Sequence, residues 1–253
     1  MCATTSTISV PTSDQVPSPS HFRTYAGRVI RVVEAQHKIS TSRLAEGLLE
    51  EEILEQYVEA AKPGIPPAAR GLHRLLATPF RFGHRKETRF RRSHERPGVF
   101  YASERARTAL AEQAYWFMRF HMGTPSARLP TGTIEYWAYS IAVGAQRVLD
   151  LTLPPYAAAR TRWSDPDNYI RCQEFAARAR AIDAQLIRYE SVRDPEKGAN
   201  VALFDPSAFR EKVPKNDSSW HFRFHGSSLM VFRAFPSEER YEFTFGQFGL
   251  TAP

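Results

Sequence analysis

The rhythm of apolar and polar positions changes several times along this chain. Near its C-terminal end, Trp220, Phe222 and Phe224 alternate with His221, Arg223 and His225. A period of two with bulky apolar side chains on one side predicts a half-buried strand. The turn GSS and the segments LMVFRAF and RYEFTF follow, so this end reads as β-hairpin strands. Further upstream, TIEYWAYSIAV and AQLIRYESV predict strands, and GVFYAS a short one. Helical spacing alternates with them. SERARTALAEQAYWFMRFH predicts a helix begun by Ser103. DPDNYIRCQEFAARARA predicts another, with Asp165 as cap and Pro166 at the first position, where a missing N–H is no loss. Tyr169, Cys172, Ala176 and Ala179 then share a face. Nearer the N-terminus, Leu44, Leu48, Leu54, Val58 and Ala61 fall on one side of a helix capped by Thr41 and Ser42. Glu50, Glu51, Glu52 and Glu55 form its acidic remainder, and Pro63 and Gly64 stop it after Lys62. Strands and helices mixed without a strict βαβ rhythm predict an α+β fold.

The same pattern divides the chain. Residues 1–21, rich in Ser, Thr and Pro, read as a disordered leader without the basic and apolar regions of a secretion signal. Residues 22–70 read as an N-terminal helical extension with too few apolar positions to stand alone, either an arm packed on the main domain or an oligomer contact. Residues 71–253 form the main domain and end in the hairpin strands. With 42% hydrophobic and 12% aromatic residues among 253, a sizeable core is available, which excludes wholesale disorder. The net charge of +7 favours anionic partners, among them nucleotides, nucleic acid, acidic proteins and anionic lipid, without choosing between them. The two cysteines, Cys2 and Cys172, make neither a disulfide framework nor a metal-ligand spacing, so no metal is expected and a reducing cytoplasm suits the chain. No apolar stretch is long enough to span a bilayer, and no membrane partner is expected.

Candidate chemistry lies in four places. Residues 81–96 are dense in base, with Arg81, Arg89, Arg91 and Arg92 among them. Guanidinium groups grip phosphate oxygens bidentately, while the plain alternative is a solvated basic loop. Tyr101 and Ser103 share a face of a strand that ends where a helix begins, a place where free backbone N–H groups can hold an anion; equally, Tyr101 is a core residue and Ser103 a cap. Glu112 lies on the helical wheel with Thr108, Tyr115, Trp116 and Arg119, aromatic company for a surface carboxylate. Last, RYESVRDPEKGANVALF places Ser191, Arg193 and Asn200 around a turn between apolar runs, so either the turn is wet or something polar sits there. His221 and His225 share a strand face but lie too far apart to bind one metal together.

Taken in order, LLATPFRFG, TRFRR, GVFYASERARTALAE, RCQEFAARARA and IRYESVRDPEKGANVALF resemble the RES-domain toxins, the toxic halves of bacterial Xre–RES toxin–antitoxin pairs. The resemblance spans about 71–209, and the upstream segment is similar to the N-terminal extension of longer members. It implies a core similar to diphtheria-toxin-type ADP-ribosyltransferases and NAD+ as substrate. Activity is implied either as cleavage of the nicotinamide–ribose bond by hydrolysis or phosphorolysis, or as ADP-ribosylation of a protein. An Xre-type antitoxin is the implied partner, with homo-oligomers inside the complex as a further expectation. By position, Arg81 and Arg89 match the arginines that hold the dinucleotide, Tyr101 the tyrosine near the nicotinamide, Glu112 the catalytic glutamate and Ser191 the family serine. Ser103, Arg193 and Asn200 complete the expected NAD+ pocket. Some members place a serine just before CQ, where this chain has Ile170 and Arg171. Phe82 and Glu87-Thr88 also depart from the common Tyr and Gly-Ser. From another class, a basic nucleic-acid-binding module stays open, although it leaves Glu112 without a role.

Overall fold

A computed structural model describes residues 16–35, 48–122 and 129–252. Its long strands are β1 (Arg23–Glu34), β3 (Ile134–Asp150) and β6 (Lys215–His225). Shorter ones are β2 (Phe100–Ser103), β4 (Leu186–Glu190), β5 (Ala199–Leu203), β7 (Ser228–Arg233) and β8 (Arg240–Thr244). The helices are α1 (Leu48–Ala61), α2 (Arg74–Arg81), α3 (Ala106–Met122), α4 (Arg160–Trp163) and α5 (Ile170–Ala181). The architecture is α+β.

All strands join one sheet in the order β1-β2-β5-β4-β3-β6-β7-β8, and a further pairing of β1 with β3 closes the first five upon themselves. Strand length makes this closure feasible. β3 has 17 residues, enough to serve several partners. Its first half pairs with β6 over Ile134 to Ser140, and its end runs parallel to β4 over Val148 to Asp150. Along its length it also pairs antiparallel with β1, from Arg23↔Val148 to Glu34↔Tyr136. β1 then reaches β2 through Ile30↔Ser103.

Three apolar clusters follow from the pleat. Val29, Phe100, Ile141, Val148, Leu186 and Leu203 meet inside the closed strands, where Leu76 and Phe80 of α2 join them. Leu110, Ala114, Phe117 and Met118 of α3 pack on Trp220, Phe222 and Phe243 from β6 to β8. Cys172, Phe175, Ala176 and Ala179 of α5 cover Leu149, Ile187 and Ala202. Each large side chain buried in this way contributes about 1.5–3 kcal/mol relative to its exposure. Among the described residues no helix is long and apolar enough to cross a membrane.

Several expectations need correction. The 22–70 segment, read as a helical extension, opens with β1, a strand inside the closed sheet. Val29 packs into one cluster and Val32 into another, so the Val29–Val33 stretch of β1 is covered on both faces, and no clean alternation marks the strand. The helix expected from Ser103 begins at Ala106, and the Ser103 side chain is used elsewhere. The helix expected from Asp165 begins at Ile170; Asp165 instead accepts from the N–H groups of Asp167 and Asn168 and shapes the preceding turn. The proposed Thr41–Ser42 cap lies outside the described residues.

Candidate active site

Strand register builds the floor of the site. Ile30 of β1 lies beside Ser103 of β2, Ser103 beside Asn200 of β5, and Asn200 beside Tyr189 of β4. Directly paired residues point to the same side of a sheet, so these four form one row. Tyr101, two residues before Ser103, points the same way. α3 crosses this face and supplies Glu112, Gln113 and Trp116. Together they line a cavity of about 240 Å³, completed by Arg89, Tyr169 and Arg193 from the connecting loops.

Glu112 is held by neutral donors. Its Oε1 accepts from Ser191 Oγ at 2.7 Å and from Asn200 Nδ2 at 2.7 Å. Asn200 Oδ1 in turn accepts from Ser103 Oγ at 2.6 Å. Ser191 is 1% exposed and its hydroxyl also accepts from the N–H groups of Arg193 and Asp194 at 3.1 and 3.0 Å. The hydroxyl is thus committed to the carboxylate and to its own loop, as suits a positioning residue. Tyr189 lies close to Glu112; burial, and then the Glu112 charge, raise its phenol well above its ordinary value.

The loop from 191 to 198 is tied down by Asp194. Its carboxylate accepts from Thr108 Oγ1 at 2.7 Å and from the N–H groups of Glu196 and Gly198 at 3.0 and 3.3 Å. Gly198 is required by this closeness, since a Cβ there would sit 2.0 Å from Thr108 Oγ1. The polar residues of this turn are therefore mostly framework.

Two arginines behave differently. Arg89 and Arg193 are 8% and 6% exposed. Arg89 donates to the Trp163 carbonyl at 2.8 Å, contacts Cys172 Sγ at 3.9 Å and lies over the Tyr169 ring. Burial holds the Cys172 thiol above its ordinary value, so its sulfur does not neutralise the guanidinium. Arg193 donates to the Pro166 carbonyl at 2.5 Å, with its guanidinium 3.5 Å from the Tyr115 ring centre. Among the described residues neither arginine forms an ion pair with a carboxylate, although both line the cavity. Tyr101 Oη accepts from Phe90 N at 3.0 Å and pairs with Thr88 Oγ1 at 2.8 Å; burial pushes its phenol up to about 12, so it stays protonated.

The structure brings Arg89, Tyr101, Ser103, Glu112, Arg193 and Asn200 to one cavity, with Ser191 directly behind Glu112. It does not bring Arg81. That side chain leaves the end of α2 for α1, where it pairs with Glu59 at 2.5 Å and donates to the Pro63 carbonyl. The expectation that Arg81 lines the pocket is corrected accordingly. Sequence reasoning missed Ile30 and Val32 of β1 and the aromatic walls Tyr169 and Tyr189. Tyr169 precedes a helix and Tyr189 alternates within a strand, but neither pattern tells a cavity wall from core.

A family model described as the RES domain matches residues 66–225. The chain belongs to the RES-domain family. β1 lies ahead of the matched span, yet it closes the strands around the RES core and contributes to the cavity. A solved structure, that of the M. tuberculosis MbcT–MbcA toxin–antitoxin complex, is similar over 80% of this chain and 87% of its own, at 13% identity and a TM-score of 0.43. No curated protein matches the chain.

Proposed function

We propose that this RES-domain chain is the toxin of a bacterial toxin–antitoxin pair and acts by cleaving the nicotinamide–ribose bond of NAD+. One observation carries the reading. Among the described residues, one cavity is lined by the buried guanidinium groups of Arg89 and Arg193, which have no carboxylate partners, and by a carboxylate held only by neutral donors. Buried charge without a counter-charge is costly, so a ligand bearing both signs is its natural complement. NAD+ is such a ligand, with a pyrophosphate anion and a cationic nicotinamide riboside.

In the reaction the bond between ribose C1′ and the pyridinium nitrogen breaks. Its electron pair leaves with nitrogen, nicotinamide departs neutral, and positive charge develops on the ribose. Glu112 stabilises that charge electrostatically. Arg89 and Arg193 bind the pyrophosphate and so fix the ribose relative to Glu112. Tyr101, Tyr169 and Trp116 offer aromatic surface to the rings. Water then adds at C1′ and releases a proton. Phosphate as acceptor makes the reaction a phosphorolysis, and a protein side chain makes it an ADP-ribosyl transfer.

The partner in this reading is an Xre-type antitoxin that covers the cavity mouth. Trp116, lining the cavity and 41% exposed, and Phe120 one turn on, 74% exposed, give that rim apolar surface for a protein. Purified protein incubated with NAD+ should release nicotinamide. Nicotinamide at the no-enzyme level, with and without phosphate and with candidate acceptor proteins, would sink the reading. Expression in a bacterial cytoplasm should lower NAD+ and arrest growth; normal growth with abundant folded protein would count against the toxin assignment.

A further inference from the structure

We infer that Asn200 and Ser103 are not ligand contacts but positioning residues that set the orientation of the Glu112 carboxylate. The inference rests on the reading of Glu112 as the charge-stabilising group. Both residues lie on the cavity face of the sheet, where a polar side chain invites assignment to the ligand. Their polar atoms are instead committed to one another and to Glu112. Asn200 is 2% exposed and Ser103 3%.

The direction of each bond follows from the chemistry of the groups. A carboxylate only accepts, so the amide must turn its NH2 group toward Glu112 Oε1, at 2.7 Å. Its carbonyl oxygen then faces Ser103, whose hydroxyl is obliged to donate, at 2.6 Å. Ser103 thereby determines which end of the amide meets Glu112. Strand register sets the chain in place, because Ser103 and Asn200 are direct partners across β2 and β5. Ser191 supplies the second bond, from the loop after β4, at 2.7 Å. Both bonds land on Oε1, and neither takes Oε2. The carboxylate is thus pinned by one oxygen, which leaves the other for a substrate hydroxyl. Among the described residues lining the cavity, the other charged or titratable groups are Arg31, Arg89, Tyr101, Tyr169, Tyr189 and Arg193, and none of them forms a hydrogen bond to Glu112.

The test uses the full chain and three variants, Asn200→Ala, Asn200→Asp and Ser103→Ala, each checked first for an unchanged melting transition. With NAD+ as substrate, Asn200→Ala should lower kcat by about 10- to 100-fold, the penalty of a reacting group displaced by about 1 Å, while KM stays within about twofold. Ser103→Ala should show the same split more weakly. Asn200→Asp puts two carboxylates side by side, so they share a proton and the acid limb of kcat moves up by about one pH unit or more. A rise in KM with kcat and the pH profile unchanged would make Asn200 a ligand contact and overturn the inference. One arm does not depend on NAD+ cleavage: in a crystal structure of Asn200→Ala, or of Ser103→Ala should the first variant fail to fold, the Glu112 carboxylate should turn away from its present position. A carboxylate that stays in place overturns the positioning role, whether or not NAD+ proves to be the substrate. Absence of nicotinamide release by the wild type, with the carboxylate displaced in the variant, would instead remove the NAD+ reading and leave the positioning role standing.

Discussion

Two groups of charged residues in this molecule are treated in opposite ways. At one end of the closed strands, Arg188 donates to both oxygens of Glu104 at 2.7 and 2.9 Å, and also to Asp150 at 3.2 Å and Thr152 at 2.7 Å. Every charge there meets an opposite charge. Across the sheet, Arg89 and Arg193 rest on main-chain carbonyls and aromatic rings, while Glu112 is held by an amide and a hydroxyl. These charges are solvated by the protein but not cancelled. Where charge only has to hold the fold, opposite signs cancel locally and bind no third party. Where it faces an opening, leaving it uncancelled preserves its field for a ligand.

The sharpest way to break the comparison is to neutralise Glu112. Glu112→Gln keeps shape and most hydrogen bonding, so the fold and NAD+ affinity should hold. The rate of nicotinamide release should fall by about 100- to 1000-fold, as for loss of other transition-state stabilisers. An unchanged rate would return this carboxylate to a structural role. Next in size is Arg188→Met, which strands Glu104 and Asp150. Urea unfolding should show a loss of about 2–4 kcal/mol, with NAD+ affinity unaffected. Arg89→Met should behave in reverse. Stability should stay within about 1 kcal/mol of wild type, because a buried charge is removed without orphaning a counter-charge, while NAD+ binding by calorimetry weakens at least about tenfold. Equal losses of stability in the Arg188 and Arg89 variants would erase the distinction.

A smaller effect distinguishes the paired region by pH. The Arg188 guanidinium, hydrogen-bonded to Glu104, holds that carboxyl below its ordinary value of 4.5. The unfolded chain then binds the proton more readily than the folded one, so the pair stabilises the protein above that value. This contribution is lost as pH falls from about 4.5 through the lower folded value, and the Arg188→Met variant should lack that part of the acid-side decline. The smallest effect is expected at Arg81. Its pair with Glu59 joins α2 to an exposed carboxylate, so Arg81→Ala should change global stability by less than about 1 kcal/mol. Amide exchange should nevertheless quicken in α1.

The candidate site was legible in proportion to how local its signals are. Tyr101, Glu112 and the residues of the 191–200 turn stand in recognisable segments, and the structure gathers them around one cavity. The roles of Ser103, Ser191 and Asn200 were not legible. A polar side chain in a strand has the same letter whether its partner is a ligand or another side chain, and strand register alone brings Ser103 to Asn200. Arg81 shows the converse. Its segment matches the family, yet its guanidinium is drawn to Glu59 and the Pro63 carbonyl.

By itself the sequence determined the α+β class, the hairpin strands at the C-terminal end and the two long amphipathic helices of the core. Each of these has one covered and one wet face, and that asymmetry is written into the spacing of apolar residues. Only the tertiary structure decided that residues 23–34 are a strand, because β1 is covered on both faces from Val29 to Val33 and mostly exposed before that, so its pattern carries no period. Only the tertiary structure decided which charges are paired. Arg188 and Glu104 lie 84 residues apart, and whether a guanidinium meets a carboxylate or a carbonyl depends on how the closed strands bring distant segments together.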